Sequence, residues 1–529
     1  MTHPRTTGTQ DYQMELKEEG MKAQSSIFEN GGRESVAPGD VDTLEQLGYQ
    51  PQLFRNRSML TLLFQSLAIA AIPFGLGGPL ISAIYGGGQL AMFVGWLVVI
   101  CLGQCVALSI SELASRYPTS AGPYYWSFQI ASRGKAVLSF ITAWTWLTGN
   151  WTIALSVNFG FASLIAATIT MHRPEWEATS WQLWLIFFAI LLITLVVCIF
   201  FNRWLPIIDT LCAGWTGITI IIILISLSVE AKAGRHSAAV ALGTFDTSFS
   251  GWGNFGFLIG LLPSAYVLSA IGMISVMAEE CDNPAITVPR AISLAVPCEG
   301  IAGLLFLLPI CFTIPPLEEI VDAPYGQVMP VIFERVMGTK AGAMGLLSLI
   351  IVLTMCCSFS ITVAASRTTW AVARDNAIPL SKVWSHVDKK HGVPVYALVL
   401  VTVVQALLGF INLGSSSAFT AFVSVGVMGL TVSYLIPITI SLFHNRKEVN
   451  MAPFTCGPIF GKIVNCITIM WICFQTVLFS MPMTLPTTEV AMNYASAVFV
   501  GFAAMSAIWY FAYARKVYKG PPESDGIVR

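Results

Sequence analysis

Glu299 is a lone carboxylate in an apolar run, residues 291–314, of a chain that otherwise keeps its charges out of such runs. An ionisable group at bilayer depth costs at least about 2.5 kcal/mol, so a residue retained there is by default read as part of a solute or ion pathway. Two chemistries suit it: pairing with a solute amine, or carrying a coupling proton. The bland alternative is a carboxyl hydrogen-bonded to a neighbouring helix. Glu299 is expected about eight residues into its span, roughly 12 Å from the cytoplasmic end at 1.5 Å per residue.

The second feature able to do chemistry is backbone. Leu60 to Ile72 runs into Pro73-Phe74-Gly75-Leu76-Gly77-Gly78-Pro79, and residues 253–277 are interrupted at Pro263-Ser264-Ala265-Tyr266 and again at Ser269-Ala270-Ile271-Gly272. Prolines and glycines this dense break a helix near mid-membrane. Freed peptide groups survive at that depth only when buried in protein or lining a polar cavity. Breaks in spans one and six, five helices apart, suit an inverted repeat whose half-helix ends aim N–H and C=O groups at a solute. The rival account is kinking for packing alone. Candidate solute-binding residues are therefore Phe74, Gly75, Leu76, Gly77, Tyr266, Ser269 and Gly272 at the breaks, with Trp146 and Asn150 from span three. Asn150 and Asn158 are amides in hydrocarbon and need partners inside the protein.

These residues require a membrane frame. The chain has 529 residues, 55% hydrophobic and 11% charged, with mean hydropathy +0.70; soluble proteins average about 25% charged. A hydrocarbon core takes roughly 20 apolar residues as a helix. Twelve such stretches begin at Met59, Leu90, Ala136, Gln182, Pro206, Gly253, Ala291, Ala341, Val395, Phe419, Lys462 and Asn493. The expected fold is an all-α membrane protein: twelve transmembrane helices, an inverted five-plus-five repeat with broken helices 1 and 6, and two further C-terminal helices. Residues 1–58 read as a disordered cytoplasmic tail, 59–515 as the twelve-helix transporter domain, and 516–529 as a cytoplasmic C-terminal tail. No apolar core of a cleavable signal precedes the first span.

The net charge of −1 hides an asymmetry. With both termini cytoplasmic, all of the 28 Lys and Arg residues except Arg173, Lys232, Arg235, Arg335 and Lys340 fall inside, as the positive-inside rule requires. The stretch Arg367 to Lys390 is expected as a basic cytoplasmic loop. The twelve cysteines lack metal-ligand spacing and the histidines lie in the tail or loops, so no metal or cofactor is expected. The sequons at Asn56 and Asn150 lie in the cytoplasmic tail and a span, out of reach of glycosylation. No catalytic carboxylate pair or His cluster lies in the spans, and no Gly-x-x-x-x-Gly-Lys-Ser/Thr loop exists. An enzyme and an ATP-driven pump are thereby disfavoured.

Three ordered motifs carry a family resemblance: Glu112-Leu-Ala-Ser-Arg-Tyr-Pro-Thr-Ser-Ala-Gly-Pro-Tyr-Tyr-Trp126; Met277-Ala-Glu-Glu-Cys-Asp-Asn-Pro284 followed by Val288-Pro-Arg-Ala-Ile292; and Ala373-Arg-Asp-Asn-Ala-Ile-Pro-Leu-Ser381 with Gly392-Val-Pro394. They resemble the signature loops of the amino acid-polyamine-organocation superfamily, and within it most resemble the fungal amino acid/choline permeases. The similarity runs over roughly residues 51–518. It implies twelve helices, the inverted repeat, and alternating access driven by an ion gradient or by exchange. The motif charges Glu112, Arg116, Glu279, Glu280 and Arg374-Asp375 fall at the inner face, where salt links that break and reform would make a gate bistable; solvated loop charges fixing helix ends are the plainer reading. Of these, Glu112, Arg116, Glu279 and Arg374 are the gate candidates.

The chain also departs from that pattern. Relatives often carry Phe-Thr-Gly-Tyr-Asp with a following His at the break in span six, whereas here the residues are Leu268-Ser269-Ala270-Ile271-Gly272 and then Val276. Without an acid at Gly272, a cationic head group would rely on aromatic faces such as Phe74, Trp144, Trp146, Trp151 and Tyr266, at about 0.5–2 kcal/mol each, or on Glu299. Asp209, about three residues into span five, is expected to be wetted at the interface and stays outside the candidate set. The function expected is secondary active transport of a small amine-bearing solute: an amino acid, 4-aminobutyrate, choline or a related nitrogenous metabolite. The alternatives are an exporter of a specialised metabolite on the same fold and a non-transporting nutrient sensor. The expected partners are that solute, a coupling proton and the lipid bilayer, with no nucleic acid; the expected location is the plasma membrane, with the vacuolar membrane as the alternative.

Overall fold

The computed structural model describes residues 44–528 apart from 54, 233, 389–391, 414–417 and 489–491. Among the described residues the fold is all-α; β-type pairing is confined to two isolated bridges, Arg57 with Cys281 and Asp388 with Val393. Twelve helices among the described residues are long and apolar enough to cross a membrane: span 1 (Met59–Gly77), span 2 (Gln89–Arg116), span 3 (Lys135–His172), span 4 (Ser180–Phe200), span 5 (Asn202–Glu230), span 6 (Gly253–Glu280), span 7 (Pro284–Thr313), span 8 (Lys340–Arg374), span 9 (Val395–Leu413), span 10 (Phe419–Phe443), span 11 (Phe460–Leu478) and span 12 (Ala495–Val517).

Three expected boundaries move, the start of span 5 from Pro206 to Asn202 among them. Span 7 starts at Pro284 rather than 291, because a proline in the first turn needs no intrahelical N–H partner and its φ suits a helix start. Glu299 therefore lies about 22 Å along the helix, near its middle, not about 12 Å in. Span 8 continues to Arg374, so Arg367, expected in a basic loop, is a buried helical residue.

Spans 3 and 6, each 89% buried over their most apolar stretch, and span 10, at 83%, form the centre, while span 12, at 11%, stands at the periphery. In lipid no hydrophobic force draws helices together, so contact depends on close packing. A Cβ on Gly149 of span 3 would lie 2.4 Å from the Leu430 backbone nitrogen, and one on Gly429 of span 10 would lie 2.6 Å from the Gly149 Cα. The two helices cross backbone against backbone.

Spans 1 and 6 are both discontinuous. Span 1 consists of helices Met59–Ala70 and Ile72–Gly77, separated by Ala71 at φ 39°, ψ 55°. This left-handed conformation costs an ordinary residue on the order of 1–2 kcal/mol. The Pro73–Pro79 run expected to unwind is itself partly helical: Pro73 sits in the first turn of the second helix, and the break falls just before it. Pro73 has no N–H for the carbonyl four residues back, Ile69. That carbonyl instead accepts from Cys357 Sγ of span 8 at 3.1 Å. Span 6 breaks at Gly260, restarts as Leu262–Ser269 with Pro263 in its first turn, then tightens into a 3-10 helix, Ala270–Glu280. Eleven residues of 3-10 winding is long for a form that seldom exceeds 3–4.

Of the expected N-terminal tail only residues 44–58 are described, and they pack. Leu47 and Tyr49 are buried, and Tyr125 of the short helix Pro123–Ile130 donates to the Leu47 carbonyl at 2.8 Å. The segment after span 12 crosses the same face: Ser524 Oγ donates to the Gln46 carbonyl at 2.7 Å and Ile527 N to the Arg116 carbonyl at 2.9 Å. Both ends of the described chain thus lie on one face, termed here the terminal face.

Replacing Gly149 with Ala is expected to force spans 3 and 10 apart at a cost of about 1–3 kcal/mol. The check is the thermal midpoint in detergent beside Gly217→Ala, where nothing lies within 4 Å of the added carbon; equal midpoints would contradict the packing account.

Candidate solute-binding site

The broken parts of spans 1 and 6 approach each other around a small hollow with room for about one water molecule. Ile69, Ala70, Phe74 and Gly75 line it from span 1, and Tyr266, Val267 and Ala270 from span 6. Spans 3 and 8 close the sides with Ile153, Val157, Cys357 and Ile361. No charged side chain lines the hollow. What it offers a solute is two aromatic faces and the Tyr266 hydroxyl, which shares a hydrogen bond of 2.8 Å with Ser156; the Ala71 peptide groups at the break are taken, the N–H by the Leu67 carbonyl at 3.0 Å and the carbonyl by Phe74 N and Gly75 N.

Of the residues expected to bind solute, Phe74, Gly75 and Tyr266 meet here. Leu76 is buried but off the hollow, and Gly77 faces Met329 of the helix Val328–Met337. Ser269, Gly272 and Trp146 gather one layer towards the terminal face, around Tyr434 of span 10. The Tyr434 hydroxyl donates to the Ser269 carbonyl at 3.3 Å, and its ring packs on Trp146 at 5.5 Å. A Cβ on Gly272 would come within 2.5 Å of the Tyr434 hydroxyl. The acid missing at position 272 is thus replaced by a phenol from another helix, and an acidic side chain has no room there. Asn150 turns away from the hollow: its Nδ2 donates to the Trp146 carbonyl at 2.8 Å, and Thr368 of span 8 donates to its Oδ1 at 3.1 Å. Asn158 finds its amide partner in Gln405 of span 9 at 2.7 Å.

Closer to the terminal face the charges expected to form a gate separate into two sets. Glu279 and Arg374 do meet, through two hydrogen bonds of 3.0 Å, and Ser120 N adds a third to Glu279. The Arg374 guanidinium lies over the Tyr49 ring at 3.7 Å and the Trp370 ring at 4.5 Å. Next to it Asp375 accepts from the hydroxyls of Tyr49 at 2.8 Å and Tyr124 at 2.7 Å. Burial pushes the Asp375 carboxyl up from the usual carboxylate range, against the pull of Arg374 and the two hydroxyls. The same burial, with Asp375 beside them, raises both tyrosines, which remain donors.

Glu112 and Arg116 are not part of that contact. Glu112 pairs with Arg446 at 2.6 Å and also accepts from Cys456 N at 2.7 Å, fixing the connection between spans 10 and 11. Arg116 pairs with Glu448 at 3.1 Å and donates to the carbonyls of Ile527 and Asp525, holding the C-terminal segment. Both sit at the end of span 2 and face away from span 6, which sequence spacing did not reveal.

A second buried network gathers around the motif residue Glu280. Arg57, just before span 1, reaches Glu280 at 3.1 Å and Asp209 at 3.3 Å, while Arg367 reaches Glu280 at 2.7 Å. Ser360 donates to Asp209 at 2.5 Å. Asp209, expected to be wetted, is buried. Two cations and two carboxylates here tie spans 5, 6 and 8 to the residue two positions before span 1. Glu280 was visible beside Glu279 in the second motif; Arg57, Asp209 and Tyr434 carried no signal of their partners.

Glu299 is buried in span 7. Its Oε1 accepts from Ser66 of span 1 at 3.1 Å, its Oε2 has no partner, and it forms no ion pair among the described residues. It does not line the hollow, lying beside span 1 one turn from Ala70. Among the described residues no group of three or more His, Cys, Asp or Glu is placed to hold a metal.

A family model described as amino acid permease matches residues 58–503. The chain is 29% identical to an amino-acid permease BAT1 homolog of Oryza sativa, over 92% of this chain and 97% of that one. It is 26% identical to a choline transporter of Saccharomyces cerevisiae, over 89% and 84%. It is 28% identical to a GABA-specific permease of the same yeast, over 91% and 86%. With twelve membrane-crossing helices and a family match covering most of its length, the chain belongs to the amino acid permease family and is a multi-pass membrane transporter, not an enzyme.

Proposed function

We propose that the chain moves a small amine-bearing solute by alternating access, with the hollow between spans 1 and 6 as the station where the solute is held. The observation that carries this is the meeting of the two discontinuous spans at one buried hollow, lined by the Phe74 and Tyr266 rings and the Tyr266 hydroxyl. Aromatic faces can receive an amine without a charged side chain. Relatives named for choline, GABA and polyamine transport fit a solute of this class.

The Glu279–Arg374 pair and the Arg57–Glu280–Arg367–Asp209 network form the gate on the terminal face in this reading. Both link span 6 to elements that must part from it if the hollow is to open on that side. The excess of Lys and Arg on this face supports a cytoplasmic orientation, and the plasma membrane is the location proposed. Glu299 carries the coupling proton: among the described residues it is a buried carboxyl with no ion pair, and Ser66 connects it to the half of span 1 nearest the gate.

Three outcomes are expected. In a transport-deficient host, labelled amino acids, 4-aminobutyrate, choline and putrescine are offered at two external pH values. At least one accumulates faster than in the empty host, and uptake rises at the lower pH; no uptake of any class would overturn the reading. Glu299→Gln keeps solute binding but removes the pH dependence of uptake, and an unchanged pH response would exclude Glu299 as the proton carrier. Arg374→Gln leaves Glu279 uncompensated, which costs a buried pair about 3–5 kcal/mol, and so opens the terminal face. Maleimide labelling of the buried Cys281, as the sole cysteine, should rise at least about tenfold; labelling equal to that with Arg374 intact would contradict the gate.

A further inference from the structure

Between the Tyr434 layer and the Glu279–Arg374 pair lies a place where buried polar atoms lack partners. Trp146 Nε1 donates to nothing and is fully buried. Its neighbours on span 3 behave otherwise: Trp144 donates to the Ala377 carbonyl at 3.1 Å and Trp151 to Thr369 at 2.9 Å. Ser275 Oγ, on the 3-10 half of span 6, is also buried and unpartnered. Both atoms border the open side of Gly122, where a Cβ would lie 3.4 Å from Ser275 Oγ and 3.9 Å from Trp146 Nε1. Gly122 has φ +59°, a left-handed value that favours glycine, and so the site beside it stays unfilled.

Position gives the site a direction. On a 3-10 helix residues three apart eclipse one another, so Ser275 stands directly after Gly272, under the Tyr434 hydroxyl. Glu279 follows four residues later, and Ser120, two residues before Gly122, is the residue whose N–H holds it. The site is therefore framed by the floor of the hollow on one side and the gate on the other. Buried donors without acceptors are costly, and a spare pair placed on this route calls for a ligand. The indole nitrogen can only donate, so the ligand must present an acceptor to it. The serine hydroxyl can donate to the same group. The carboxylate four residues on along span 6, Glu279, is already occupied by Arg374, so its charge is compensated.

Building on the transporter reading above, we propose that Trp146 Nε1 and Ser275 Oγ form a second station that receives the carboxylate of a solute passing between the hollow and the terminal face. In the closed arrangement the space beside Gly122 suits a group the size of a methyl or a water; the carboxylate enters as the gate parts. The transported solute accordingly carries both an amine and a carboxylate, as alanine and 4-aminobutyrate do, in contrast to choline and polyamines, which carry no carboxylate.

The test measures uptake of labelled alanine, 4-aminobutyrate, choline and putrescine by the full chain, by Ser275→Ala and by Trp146→Phe, which keeps a ring against Tyr434 but removes the N–H. Surface levels are followed by a fluorescent tag. The chain itself is expected to carry alanine or 4-aminobutyrate, and each variant to slow that transport about tenfold at equal surface level. If Trp146→Phe fails to reach the surface, Ser275→Ala decides alone. Transport confined to choline or putrescine overturns the second station while leaving the transporter reading intact. Carboxylate solutes moved by the variants at the full rate overturn it as well. Transport of none of the four counts against the transporter reading, and the station falls with it.

Discussion

A peptide carbonyl released from its helix inside a membrane has no water to turn to, and everything around the hollow follows from how this chain meets that constraint. Pro73 withdraws the donor that Ile69 would otherwise have, and the Cys357 thiol of span 8 takes its place at 3.1 Å. Ala71 absorbs the change of direction in a left-handed conformation. Span 6 meets the same demand by other means, restarting at Pro263 and then winding as a 3-10 helix for eleven residues. Each break is held by side chains from spans 3, 8 and 10, which is why those helices are among the most buried. The backbone contact of Gly149 with Gly429 and Leu430 keeps spans 3 and 10 close enough to do so.

The terminal face shows how charge is handled where the dielectric is low. A buried ion pair recovers its desolvation only with good geometry and further hydrogen bonds. Glu279 has three hydrogen bonds, and Glu280 is shared by two arginines. Removing one member of either set leaves an uncompensated charge, so the closed arrangement is cooperative. Such sets also have an alternative, since the same charges are well solvated when water enters. Two such states are what the proposed gate requires. The segment around Tyr49 belongs to the same unit through its contacts with Arg374 and Asp375.

Much of this was legible in the sequence, and the residues that were not share a physical cause. Hydropathy gave ten of the twelve span starts to within two residues, because apolar length is a local property. The breaks were visible in Pro73 and Pro263, although the discontinuity itself falls at Ala71, since proline is at home in the first turn of a helix. Glu279 and Arg374 stood out as motif charges that meet. Asp209 did not, because its partner Arg57 lies 152 residues away and each alone resembles an interfacial charge. Arg367 was hidden by a helix that outlasts its apolar run. Tyr434 fills the space opposite Gly272, and a tyrosine within a span carries no periodic signal of such a role.

The central claim is that the hollow at the two breaks is where a solute rests, and Cys357 reports on it directly because its thiol both lines the hollow and holds the Ile69 carbonyl. With Cys357 as the only cysteine, its rate of alkylation by a small maleimide is measured with and without a saturating concentration of a transported solute. The account predicts that the solute slows the reaction severalfold. Alkylation at the same rate in both conditions would place the solute elsewhere and contradict it.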